Sequence, residues 1–152
     1  IEGNETSIQL NKNTKLLSKI EKIRKLAAFR MGMGDVSGKV LPKFALLSKS
    51  TKQGFISSRY FTPYSCHETH AVSGALCIAA SCFIPQTIPH TLFKAKKFDV
   101  RIEHPMGDIK CLVEMNHNFK QNLKKKSNLV NSCGIYRTSR KIMRGIVYVP
   151  KH

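Results

Sequence analysis

The chain has 152 residues, 41% of them hydrophobic, which fits one ordinary domain able to bury about two-thirds of its unfolded surface and excludes wholesale disorder. Its 26 Lys and Arg against nine Asp and Glu leave a formal charge of +17, which attracts polyanions, anionic surfaces and small acids alike and selects none of them. The five cysteines (Cys66, Cys77, Cys82, Cys111, Cys133) are odd in number and hold no CxxC pair, so a reduced, cytoplasmic setting is expected rather than a disulfide framework or zinc ribbon. The longest apolar run, residues 71–84, falls short of the roughly 20 residues a bilayer span needs, and no membrane partner is expected. No charged segment followed by an apolar one is visible at the start, so no secretory leader is expected, and the start at Ile1 reads as the interior of a longer protein.

In chain order, "NTKLLSKIEKIRKLAAFRM" (residues 13–31) sets Leu16, Ile20, Ile23 and Ala27 on one stripe at helical spacing. Asn13 or Thr14 can cap its start, and Gly32 and Gly34 end it. "LPKFALLS" and "FISSRYFT" read as strands separated by the polar turn "KSTKQG". The pentapeptide "CHETH" (residues 66–70) follows, with His67 and His70 three apart; the zinc-protease motif places its histidines four apart. "AVSGALCIAASCF" predicts a helix of small residues enclosed on every side and stopped by Pro85 and Pro89. "KFDVRIEHP" and "GDIKCLVEMN" predict two strands joined through Pro105, Met106 and Gly107. The basic "NFKQNLKKKSN" reads as a loop or an irregular strand edge. The last stretch predicts a short strand, a short helix from about Thr138, Gly145 as its stop, and a final strand. These elements predict an α+β fold, a mixed or antiparallel sheet wrapped around a central buried helix.

With those elements placed, the chain resembles the C-terminal half of the PrpF family, whose fold is that of diaminopimelate epimerase. "HETHAVSGALCIAA" is similar to that family's His-x-Ala-x-x-Val-Thr-Gly-Ala run, with His67, Val72, Ser73, Gly74 and Ala75 in register. "HPMGDI" is similar to its His-Pro-Ser-Gly turn, and "YRTSRKIMRGIVYVP" to its Arg-Thr-Ala-Arg helix and last strand. "IRKLAAFRMGMG" and "LPKFALLS" agree more weakly and in the same order. The chain departs from the pattern at Met106, where the family has Ser, at Ser73 for Thr, and at Glu68 and His70, which replace a basic and an aromatic residue.

The resemblance implies cofactor-free isomerase chemistry on small di- or tricarboxylates of the aconitate type, in a cleft between two similar domains. It makes residues 1–152 the C-terminal domain, with the proton-transferring groups in an absent N-terminal domain and no catalytic residue assigned on this chain. That domain, or a second copy of this chain in a homodimer, would be the partner. Removing an allylic proton requires a base and donors that hold the carboxylates. The resemblance makes His67, Ser73 and Gly74 one wall of the substrate site, at the start of the small-residue helix, where free N–H groups and the helix dipole favour an anion. His104, Met106 and Gly107 would form the opposite wall. Glu68 is expected to face solvent, and His70 to pack. No metal is expected at Cys66, His67 and His70, because no further ligand stands at usual spacing. Arg137 and Arg140 could grip a carboxylate or support a contact between domains. Two other functions remain open. Nucleic-acid binding through the basic surface would be sequence-independent and salt-sensitive, although no binding motif and no Trp is present. The chain could also be an inactive remnant.

Overall fold

The computed structural model describes residues 1–50, 55–93, 99–116 and 129–150. Nine elements are described: α1 (Ser7–Lys12), α2 (Thr14–Arg30), β1 (Phe44–Lys49), β2 (Phe55–Phe61), α3 (Val72–Ser81), α4 (Ile88–Leu92), β3 (Asp99–His104), β4 (Gly107–Met115) and β5 (Val130–Ile135). The strands lie side by side in chain order in one sheet, with β2 and β3 parallel and every other neighbouring pair antiparallel. A parallel pair needs a long crossover. This one carries α3 and α4, and it lays α3 against β3, β4 and β5. The class is therefore α+β, as the sequence predicts, with a mixed sheet and a central small-residue helix.

Alternation along the strands gives each sheet face its own cover. On one face Ile56, Val100, Ile102 and Cys111 meet Ala75, Ile78 and Ala79 of α3. On the other, Phe44, Leu46 and Phe61 meet Leu10, Leu16 and Ile20 from α1 and α2. α3 is buried along one stripe only: Ala75 and Ala79 have no exposure, whereas Ser73 and Cys77 are open. The crossover presses one side of the helix onto the sheet, and small residues let it lie close.

Several boundaries differ from expectation for local reasons. α1 went unpredicted although "TSIQ" carries a capping box: Thr6 accepts from Gln9 N, and the Gln9 side chain accepts from Thr6 N. α2 begins after Asn13, whose side chain accepts from Leu16 N at 3.0 Å. It ends in a Schellman motif, with Gly32 N bonded to Phe29 O, Met33 N bonded to Ala28 O, and Gly32 at φ 74°. Its buried line runs Leu16, Ile20, Arg24, Ala28, while Ile23 is 44% exposed. An arginine can occupy a core position because each of its three nitrogens is engaged: a fork on Glu21 at 2.7 and 2.9 Å, Val36 O at 3.1 Å, and Leu41 O. Pro89 does not stop α3; it sits in the first turn of α4, behind the Thr87 cap.

The β3–β4 hairpin forms as predicted, with His104 paired to Gly107 across a two-residue turn of Pro105 and Met106. The helix expected from Thr138 and the final strand do not form: residues 136–150 carry neither, and Ile142 is 91% exposed. A short helix is marginal without a surface to bury its apolar side, and no described strand or helix covers this tail. The predicted basic loop with Lys124 and Lys126, and most of the predicted turn after β1, lie outside the described residues.

Candidate functional site

The "CHETH" loop is pinned at three points. Phe61 and Cys66 form a bridge, and His67 N donates to Tyr60 O at 2.7 Å, so the loop leaves β2 by folding back on its end. Asn11 of α1 grips Cys66 from both sides, its Oδ1 accepting from Cys66 N at 2.6 Å and its Nδ2 donating to Cys66 O at 3.2 Å. Glu68 O accepts from Met106 N at 3.2 Å, which joins the loop to the β3–β4 turn. Cys66 itself is turned into the cluster beneath α1 and α2, where burial pushes its thiol up to about 11. Among the described residues no group of three potential ligands is placed to hold a metal.

His67 is exposed, and its Nδ1 lies 3.3 Å from Thr69 N and 3.1 Å from Thr69 Oγ1. His70 is buried, with Nε2 3.1 Å from Ser58 Oγ, Nδ1 3.0 Å from Ala71 O, and its ring tilted against Tyr60. Burial is the largest influence on this imidazole and pulls its pKa below the ordinary histidine value.

α3 starts at Val72 with Ala71 as its N-cap, and Ala71 has no side chain able to cap it. The N–H groups of the first turn therefore make no bond to an N-cap side chain. Ser73 is exposed there. Gly74 has a packing reason to be glycine, since a Cβ would stand 2.5 Å from Tyr60 Cε2.

His104 closes β3. Its Nδ1 is buried and has no hydrogen-bond partner among the described residues. Burial lowers its pKa; a backbone bond to Glu68 and the nearby Asp108 oppose that, while Arg59 adds to it. Met106 is exposed at the tip of the turn, and the Gly107 backbone has a φ of 147° that a side chain would strain.

Beside His104 opens a cavity of about 500 Å³, lined by Thr69 and His70, by His104, Arg101, Asp108, Ile109 and Lys110, and by Tyr136, Arg137 and Thr138. All three stretches that carry the family resemblance meet here: "HETH", "HPMGDI" and "YRTSR". Two of the cations are engaged. Arg101 lies 3.7 Å from Asp108, and Lys110 lies 2.8 Å from Asp99 with its ammonium 4.4 Å from the centre of the Tyr136 ring. Arg137 is exposed on the rim.

Of the six predicted site residues, His104 alone lines this cavity. His67 and Glu68 lie in the loop beside it, and Met106 and Gly107 form the adjoining turn. Ser73 and Gly74 lie in the first turn of α3 behind His70. Thr69, Tyr136 and Thr138 had no place in the predicted site, and only the order of the three motifs in the sequence hinted that their neighbours meet. Arg140 is exposed in the tail and does not line the cavity.

The family profile described as PrpF protein matches residues 1–150. The chain is 36% identical over 149 residues to YbhH of Escherichia coli (strain K12), covering 97% of this chain and 40% of that protein. It is 33% identical over 156 residues to a (4E)-oxalomesaconate Delta-isomerase of Novosphingobium sp. (strain KA1), covering 98% and 40%. A crystal structure of methylitaconate-delta-isomerase superposes with a TM-score of 0.71 at 21% identity, over 90% of this chain and 40% of that one. The chain thus spans about 40% of the length of the relatives it matches.

Proposed function

The chain belongs to the PrpF family, and on that premise we propose that it is the C-terminal domain of a cofactor-independent isomerase acting on small di- and tricarboxylates of the aconitate type. The observation that carries this reading is the meeting of three distant motifs on one polar cavity. On this reading the chain binds and orients, and the groups that move the proton belong to the N-terminal domain. A carboxylate entering the cavity meets Arg137, whose guanidinium can take it in a fork, with the hydroxyls of Thr69 and Thr138 as further donors. A second carboxylate lies towards His104. The first turn of α3 stands beyond the cavity lining, behind His70, and there the exposed Ser73 offers its hydroxyl and Ser73 and Gly74 their N–H groups to a carboxylate that reaches past that wall. His67, Met106 and Gly107 frame the entrance through the loop-to-turn bond between Glu68 and Met106. Spreading two or three carboxylates over fixed donors orients the carbon between them for proton removal, which is the share of catalysis that positioning supplies.

The test is a thermal-shift titration with cis- and trans-aconitate at physiological salt, with sulfate as the competing anion. A ligand bound only by the folded chain raises its apparent stability by mass action. The proposal expects a rise with aconitate beyond that with sulfate, and its loss in Ser73→Ala and His104→Ala. Equal rises for every anion would reduce the site to a basic surface and overturn it.

A further inference from the structure

His70 is specified on every side. It is 7% exposed. Its Nδ1 lies 3.0 Å from Ala71 O, and since a carbonyl only accepts, the proton sits on Nδ1. Nε2 is then free to accept from the Ser58 hydroxyl of β2 at 3.1 Å. The ring leans on Tyr60 with centroids 4.6 Å apart and planes at 39°. A Cβ on Gly74 would come within 3.1 Å of His70 Cε1, so the ring also closes on the first turn of α3. The Ala71 carbonyl it touches is the one that accepts the opening helical bond, from Ala75 N at 2.9 Å. One imidazole therefore ties β2, the end of the loop and the opening bond of α3 at a single point, and with Thr69 it walls the cavity.

We infer that His70 is a positioning residue: its bonds to Ala71 and Ser58 hold the opening turn of α3 and the Thr69 wall in the geometry in which the cavity takes a carboxylate. The inference rests on the function proposed above. A packing role alone would be met by an aromatic ring of similar size, without the two hydrogen bonds. The groups facing His70 are Ser58 and Tyr60 from β2, His104 from β3 and His67 from the loop, with Arg101, Asp108, Lys110 and Arg137 around the shared cavity. Burial, with His104 and His67 adding to it against the Ala71 bond, keeps the ring neutral near pH 7 and so preserves this arrangement.

The test compares wild type with His70→Phe, which keeps a ring and loses both bonds, and with His70→Asn, whose amide can stand in for Nδ1–H. Three quantities are read: amide exchange at Ala75, affinity for cis-aconitate, and Tm. We expect His70→Phe to exchange about three- to tenfold faster at Ala75 and to bind weaker by a similar factor, the effect of one hydrogen bond, with Asn recovering most of both. Unchanged exchange and affinity in His70→Phe would overturn the inference. So would a wild-type ¹⁵N spectrum that puts the proton on Nε2, a result independent of how the variants fold. A wild-type chain that takes no carboxylate would overturn the proposed function instead, and exchange at Ala75 would still decide whether His70 holds α3.

Discussion

Gly74 separates two explanations of a glycine beside a binding site, close approach of a ligand and close approach of the core. In Gly74→Ala the new methyl would stand 2.5 Å from Tyr60 Cε2, 3.0 Å from Tyr60 Cζ and 3.1 Å from His70 Cε1. Both rings are buried, at 5% and 7% exposure, and they lean on each other, so neither can swing aside. Overpacking of this kind costs about 1–3 kcal/mol, and the helical preference for Ala over Gly offsets about 0.5–1 kcal/mol. A net loss of about 1–2 kcal/mol follows, or a fall in Tm of about 5 °C for a chain of this size. Urea unfolding followed by circular dichroism measures it. The control is Gly134→Ala in β5, where a Cβ meets no atom of the described residues within 4 Å and stability should hold or rise. A Gly74→Ala chain as stable as wild type would refute the packing argument and return Gly74 to the ligand.

Other outcomes follow from the same structure. Arg24→Ala should cost about 3 kcal/mol in urea unfolding, because it leaves Glu21, Val36 O and Leu41 O without their shared donor in the core. His70 and His104 both have pKa values lowered by burial, so the unfolded chain binds more protons in acid than the folded one. Their contribution is complete above the ordinary histidine value of about 6.5 and is lost as pH falls from there towards the folded values; a Tm series from pH 8 to 5 should drop more steeply for wild type than for His70→Phe. Iodoacetamide at pH 8 should label exposed Cys77 first, while Cys82, pushed up to about 12 by burial, and Cys66 and Cys111, pushed up to about 11, react only on unfolding.

The parts of the fold that local chemistry dictates were legible in the sequence. Asn13 and Gly32 bounded α2, Pro105 and Met106 made the hairpin, and small residues marked α3 as the central helix, although it is buried along one stripe and not on every side as they suggested. The buried line of α2 was misplaced because Arg24 reads as a surface residue until its partners are known, and those come from residues 36 and 41 across a loop. Helical spacing alone favoured Ile23 there. The tail read as helix and strand because its apolar residues repeat suitably, but periodicity does not say whether a covering surface is at hand. The site was half legible. Each motif was visible, yet Thr69, Arg137 and Thr138 share a cavity with His104 only through the parallel β2–β3 crossover and the pairing of β5 on β4, neither of which is written in local sequence. His70 was rightly read as packed, while its two hydrogen bonds needed the structure.

A ¹H–¹⁵N titration of the labelled chain with cis-aconitate at physiological salt decides whether the cavity beside His104 holds a carboxylate. Saturable shifts are expected at Thr69, His104, Arg137, Thr138 and the first turn of α3 alone, unaffected by equimolar sulfate. Shifts spread along the lysines of α2, growing without saturation and reproduced by sulfate, would contradict the proposed site.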